Sequence, residues 1–208
     1  MKFIFFVEGE TEKKALPAFL QKWLDARLSK RVGIDPVKFN GWQELVKDTP
    51  KKAELYLNGP QKHDIIAVIA LLDLYGPTFY PTDKKTAPER YAWAKEHLES
   101  KVSHPKFRQF FAIHETEAWL LSDPDLFPTE VKRALPGKIQ RPEEVNFDEP
   151  PARLLERIYK EKTKRTYKKT THGSDLFNKL DPNLAYTKCP RLKELWDEML
   201  KLAQEAGL

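Results

Sequence analysis

The chain has 208 residues, of which 40% are hydrophobic and 32% are charged, and its formal net charge is +5 at pH 7. This composition is typical of a globular protein and excludes an intrinsically disordered one. A single cysteine excludes an internal disulfide and a cysteine-based zinc cluster, and no apolar stretch is long enough to span a membrane. We therefore expect a cytoplasmic protein without membrane association.

Apolar runs alternate with helical patterns through the first 122 residues. Strands are predicted at 2–7, 37–40, 65–72 and 107–113, and helices at 11–27, 42–57 and 88–102, with Thr11 as the first N-cap and an interruption near Pro50. The run 65–72 has no polar residue, which indicates a strand covered on both faces. This order predicts an α/β three-layer sandwich with a mainly parallel, four-stranded sheet.

The sequence beyond residue 122 follows a different pattern. Prolines are dense there, and amphipathic helices are predicted at 152–162 and 191–204. Too few apolar residues remain for a separate core. We therefore expect a helical extension, residues 123–208, that packs on an α/β domain formed by residues 1–122.

Three carboxylates each stand just after a predicted strand: Glu8, Asp73 and Glu115. Because parallel strands bring their carboxyl ends to one edge of a sheet, these acids are expected to share a crevice. Acids that lie this close need a proton or a cation to neutralise them, and ligands that are all oxygen favour Mg²⁺ or Mn²⁺. The sequence therefore predicts a metal site.

Glu117 is a second candidate ligand beside Glu115. If residues 113–117 stay extended, both side chains point to the same side of the chain. If a helix already starts at Glu115, the two side chains diverge by about 200°, and Glu115 is then the preferred ligand. His114 is a candidate general acid or base, with a core or capping role as the alternative. Glu12 can either join the site or favour the dipole of the first helix.

Positive charge is concentrated between Arg153 and Lys169, a segment that contains eight Lys and Arg residues and only two Glu residues. Such a segment is typical either of a nucleic-acid-binding surface or of a solvated helix end. The residues that are candidates for contacts to a nucleic-acid backbone are Lys160, Lys162, Lys164, Arg165, Lys168 and Lys169.

Three motifs follow one another along the chain: Val7-Glu-Gly-Glu-Thr-Glu12, Asp73-Leu-Tyr-Gly76 and His114-Glu-Thr-Glu-Ala118. A strand that ends in Glu-Gly, then a helix and later a strand that ends in Asp resembles the Toprim domain of topoisomerases, primases and overcoming-lysogenisation-defect nucleases. The likeness covers about residues 1–122. The three motifs together resemble, more narrowly, a bacterial family of about this length whose members are often encoded beside ABC-type or AAA-type ATPases.

By this resemblance, Glu8 corresponds to the strand-one glutamate of Toprim domains and Asp73 to the first aspartate of their Asp-x-Asp motif. The second aspartate is replaced here by Tyr75, and Glu115 or Glu117 can substitute for it. The resemblance implies a nuclease of genome defence or DNA repair, in which one or two Mg²⁺ or Mn²⁺ ions promote phosphodiester hydrolysis. The missing aspartate favours the alternative, a non-catalytic accessory subunit of a partner ABC-type or AAA-type ATPase.

Overall fold

The computed structural model describes residues 1–137, 139–143 and 149–208. Within these ranges, four parallel strands form a sheet in the order β2-β1-β3-β4. The strands are β1 (Lys2–Val7), β2 (Gly33–Lys38), β3 (Ile65–Asp73) and β4 (Phe107–Ala112). The helices that connect them are α1 (Glu10–Asp25), α2 (Trp42–Leu57) and α3 (Ala87–Val102). The predicted α/β three-layer sandwich is confirmed.

Further helices follow β4 in the described residues. They are α4 (Glu117–Leu120), α5 (Thr129–Lys132), α6 (Pro151–Thr163), α7 (Ser174–Lys179), α8 (Pro182–Lys188) and α9 (Pro190–Glu205). A π-helical turn, Lys169–Gly173, leads directly into α7. In the part of the chain that is described, no helix has both the length and the apolar character to cross a bilayer.

The two faces of the sheet are covered by different helices. Phe3 and Phe5 of β1 face a core shared with α1 and the helices after β4, whereas Ile4 and Phe6 face α2 and α3. This division follows from the alternation of side chains along a strand. In the first core the buried Trp196 of α9 stacks on α1, so the helices of the second half share their hydrophobic core with the sheet.

Two local predictions are wrong. The helix α1 begins at Glu10 after Gly9 as N-cap, so Thr11 lies inside the helix and does not cap it. The strand β2 spans Gly33–Lys38, earlier than the predicted 37–40. Its Asp-Pro pair is a poor strand former, but proline is tolerated on the outer strand of a sheet, where β2 lies.

The predicted interruption of α2 near Pro50 is also wrong. The helix runs from Trp42 to Leu57 without a break, although a proline removes one helical hydrogen bond. Leu45, Ala53 and Leu57 on the same helix are buried against the sheet. Their burial stabilises the helix beyond the cost of the proline.

Each outer strand carries a blocked position on its free edge. In β2, the N–H groups of Gly33 and Phe39 donate to β1, so the intervening Pro36 occupies a position that faces away from β1 and has no N–H. In β4, the outward N–H of Gln109 donates to the carboxylate of Glu99 at 2.9 Å. These features remove donors that another strand would need.

Candidate metal centre

The carboxyl ends of three strands meet at one edge of the sheet. Glu8 follows β1 directly, Asp73 is the last residue of β3, and Val7 pairs in register with Leu71. The Asp73 Oδ1 atom accepts a hydrogen bond of 3.1 Å from the N–H of Thr116, which lies in the segment after β4. The start of α4 therefore lies at the same edge of the sheet as Asp73, beside the site predicted from Glu8 and Asp73.

The ammonium group of Lys169 lies among the carboxylates at this edge. Its Nζ atom is 2.9 Å from Glu117 Oε2, 3.5 Å from Glu12 Oε1 and 3.6 Å from Asp73 Oδ2. Glu8 is close enough for the charges of Glu12 and Lys169 to act on its pKa. We call Glu8, Glu12, Asp73 and Glu117 the carboxylate cluster.

The cluster carries more negative charge than Lys169 can balance. Burial raises the pKa of Glu117 to about 7 and the pKa of Asp73 well above its usual range, and the ammonium of Lys169 opposes both shifts. Burial, and then the charge of Glu12, raise the pKa of Glu8. Four carboxylates around one ammonium must therefore share protons or bind a further cation.

Two carboxylate oxygens of the cluster have no hydrogen-bond partner within the described residues. They are Glu117 Oε1, on a side chain that is 0% exposed, and Glu8 Oε2. A buried oxygen without a partner is costly, and a hard divalent cation prefers such ligands. The donor set therefore fits Mg²⁺ or Mn²⁺ in its chemistry.

The conformation of the cluster is nevertheless not that of a formed metal site. Among the residues that the structure describes, no group of three or more His, Cys, Asp or Glu side chains is arranged to hold an ion. The ammonium of Lys169 contacts three of the four carboxylates instead. A metal ion that bound here would compete with this side chain.

Gly9 leaves space for the carboxylate of Glu12. A Cβ atom at position 9 would lie 2.6 Å from Glu12 Oε2, and the hydroxyl of Thr116 donates to Glu12 Oε1 at 3.4 Å. The sequence alone does not decide between the two roles of Glu12. A signal was present, because Glu12 stands four residues before Leu16 and seven before Phe19, on the buried stripe of α1.

Glu115 and Glu117 point to different partners. Glu115 Oε2 accepts a hydrogen bond of 3.0 Å from the N–H of Ala152, in the first turn of α6. The helix α4 begins only at Glu117, whose carboxylate contacts Lys169. The structure thus brings Glu117 into the cluster, whereas the sequence favours Glu115 as the metal ligand. The ligand role of Glu115 stays a prediction.

His114 lies at the turn that separates β4 from this segment. Its backbone is left-handed, with φ of 64°, and its carbonyl oxygen accepts a hydrogen bond of 3.0 Å from the N–H of Tyr75. The turn joins the segments after β3 and β4. A role of the imidazole as general acid or base stays a prediction.

The basic residues predicted to bind nucleic acid divide into two groups. Lys169 belongs to the carboxylate cluster. The others are exposed along the end of α6 and the loop after it, and they are Lys160, Lys162, Lys164, Arg165 and Lys168. Contact of these residues with nucleic acid stays a prediction.

The fold and the cluster define a parallel α/β protein with an acidic site at the carboxyl edge of its sheet. The chain belongs to the family described as Domain of unknown function (DUF4276), whose model matches residues 7–200. No curated protein matches the chain.

The solved structures that are similar to the chain include the C-terminal regions of two OLD proteins. The C-terminal region of the Burkholderia pseudomallei OLD protein is 18% identical, with a TM-score of 0.48 over 95% of this chain and 98% of that one. The C-terminal region of the Xanthomonas campestris pv. campestris OLD protein, phased with platinum, is 17% identical, with a TM-score of 0.44 over 98% and 94%.

Proposed function

We propose that the chain is a metal-dependent phosphodiesterase that hydrolyses nucleic acid and uses Mg²⁺ or Mn²⁺. The observation that carries this proposal is the carboxylate cluster, in which one acid follows β1 directly and α1, β3 and α4 contribute one each. One ammonium group leaves most of their negative charge unbalanced. A divalent cation would neutralise it and would use the oxygens that have no other partner.

A bound divalent cation would orient the attacking water and stabilise charge on the scissile phosphate. Glu8, Asp73 and Glu117 would be ligands, with Glu12 beside them. Glu115 and His114, at the same edge of the sheet, would supply a further ligand and proton transfer. The exposed basic residues between α6 and the π-helical turn would hold the phosphate backbone, so binding would weaken as salt rises. The Toprim resemblance of residues 1–122 agrees with this assignment.

A nuclease assay with Mg²⁺, Mn²⁺ or EDTA on DNA and on RNA tests the proposal. Asp73→Asn and Glu117→Gln are expected to lower the cleavage rate by roughly 100-fold or more, because both remove charge from the cluster. Glu10→Gln is the matched control, since Glu10 lies at the start of α1, close to Glu8 and Glu12 in sequence, but pairs with Lys14 and Lys38. Cleavage that survives in Glu8→Ala and Asp73→Asn would rule out this site.

The accessory-subunit alternative is favoured by one observation. The ammonium of Lys169 lies 2.9 Å from Glu117 and already balances part of the cluster without a metal ion, while Tyr75 stands where the Asp-x-Asp motif has its second acid. Calorimetric titration of the chain with Mn²⁺ tests this reading. The absence of binding, together with cleavage only in the presence of a co-purified ATPase, would favour the accessory role over an independent enzyme.

A further inference from the structure

The π-helical turn that carries Lys169 also contributes to a separate cavity. It measures about 520 Å³ and is lined by residues of α6, α7 and the turn itself, together with Leu126, Pro128 and Glu130. Its lining includes Tyr159, Lys162, Arg165, His172 and Lys179. A volume of this order is typical of small-ligand pockets.

Three cationic side chains line this cavity without an ionic partner. Lys162, Arg165 and Lys179 are exposed, and none of them forms an ion pair within the described residues. Two acids, Glu130 and Asp175, also line the cavity and keep its net charge low. The affinity of the cavity for an anion would therefore depend more on the positions of its three cations than on its net charge.

His172 adds a donor with a fixed orientation. Its Nδ1 atom accepts a hydrogen bond of 2.9 Å from the N–H of Lys168, so a neutral imidazole carries its proton on Nε2. The ring lies 5.9 Å from the ring of Tyr167 and 6.0 Å from that of Tyr159, which hold its plane. The cavity thus offers cations and an oriented N–H group, which are the groups that bind phosphate oxygens.

We propose that this cavity binds a phosphate ester of nucleic acid, as a second phosphate subsite beside the carboxylate cluster. The inference rests on the proposed function, because a nucleic-acid strand bound at the carboxylate cluster would continue across the π-helical turn. Lys169 and His172 lie on that one turn, the first in the cluster and the second in the cavity. The phosphate belongs either to the backbone of a strand or to a mononucleotide.

The test measures binding of a fluorescently labelled, single-stranded oligothymidylate in EDTA by anisotropy. Arg165→Glu/Lys179→Glu reverses two charges that line the cavity, and Lys47→Glu/Lys62→Glu reverses two exposed charges that do not line it and lie outside the basic segment. We expect binding to weaken about tenfold or more in the first variant and clearly less in the second. Equal losses in the two variants, or no loss in the first, would overturn the subsite.

Competition separates the two sources of phosphate. Displacement of the oligonucleotide from the wild-type chain by adenosine monophosphate, but not by inorganic phosphate, assigns the cavity to a mononucleotide. Resistance to both, with the selective loss in Arg165→Glu/Lys179→Glu, assigns it to the backbone of a strand. Because no divalent cation is present, this binding is independent of cleavage. The subsite can stand if no nuclease activity is found, and it can fail while the nuclease activity stands.

Discussion

Lys169 is the internal counter-ion of the carboxylate cluster. Its ammonium contacts Glu117, Glu12 and Asp73 within 3.6 Å. Burial lowers the pKa of Lys169. The negative charges of the carboxylates, that of Asp73 first, raise it, and the net result is a pKa above the usual range. The side chain therefore stays charged and competes with any cation for the same oxygens.

Replacement of Lys169 by methionine is expected to strengthen the binding of Mn²⁺ by about tenfold or more, because the competing positive charge is removed. Isothermal titration calorimetry of the purified chain measures the affinity. Lys168→Met is the control, since Lys168 is the exposed neighbour and lies outside the cluster. Unchanged or weaker binding in Lys169→Met would show that the ammonium and the metal ion occupy separate places.

The sequence predicts part of this site. Glu8 and Asp73 could be identified because each ends a strongly apolar strand, and parallel strands end at one edge. The position of Lys169 could not be predicted, because it depends on the path of the chain after α6. A basic segment is also typical of a solvated helix end. Glu12 was ambiguous because a first-turn acid also favours the helix dipole.

The N-terminus of α6 is tied to the edge of the sheet by Glu115. The carboxylate accepts the N–H of Ala152 in the first turn of the helix, where a negative charge is favourable. Glu115 follows β4 closely in sequence, so this contact links the sheet to the helices of the second half. It gives Glu115 a structural role beside the predicted ligand role.

Glu115→Gln separates these two roles. The free energy of unfolding is expected to fall by about 1 kcal/mol, because a charged acceptor is lost at the helix N-terminus. The affinity for Mn²⁺ is expected to change less than in Glu117→Gln. Denaturant unfolding and calorimetry measure the two quantities. A larger loss of Mn²⁺ affinity in Glu115→Gln than in Glu117→Gln would restore Glu115 as the principal ligand.

Elements with a strong pattern could be predicted, and weakly patterned ones could not. The bounds of α2, Trp42–Leu57, agree with the prediction, and β3 extends it by one residue to Asp73. The predicted position of β2 is wrong because pairing with β1 outweighs the low strand propensity of its Asp-Pro pair. The division into residues 1–122 and 123–208 stays a prediction.

Glu143 connects distant parts of the molecule. Its carboxylate accepts hydrogen bonds from Trp119 Nε1 at 2.8 Å and from the N–H groups of Arg191 and Leu192 at 2.6 and 3.3 Å. Trp119 belongs to α4, and the other two residues to the first turn of α9. Burial raises the pKa of Glu143, and the three donors oppose the rise.

This raised pKa predicts a pH dependence of global stability. Above pH 4.5, the ordinary value, an unfolded chain releases the proton of Glu143 while the folded chain retains it. The stability contributed by the protonated form is therefore complete below that value and declines as the pH rises through the folded pKa. Denaturant unfolding in EDTA at several pH values measures this decline.

Glu143→Gln is expected to reduce this decline, because the amide does not titrate, while Glu8, Asp73 and Glu117, whose pKa values are also raised, still contribute to it. Glu205→Gln, at the exposed end of α9, is the control and is expected to keep the wild-type slope. The amide retains one oxygen for the three donors, so a lower absolute stability at every pH is compatible with the prediction. An unchanged slope in Glu143→Gln would contradict it.

Pro36 and the Glu99–Gln109 hydrogen bond act together on the growth of the sheet. The edge of β2 lacks one N–H group at Pro36, and on the edge of β4 the N–H of Gln109 is already hydrogen-bonded. Neither edge therefore offers a complete set of donors to a fifth strand. Copies of the chain are thereby protected from fusing into continuous ribbons or cross-β fibrils. Dimerisation through continuous pairing of these two sheet edges is therefore disfavoured.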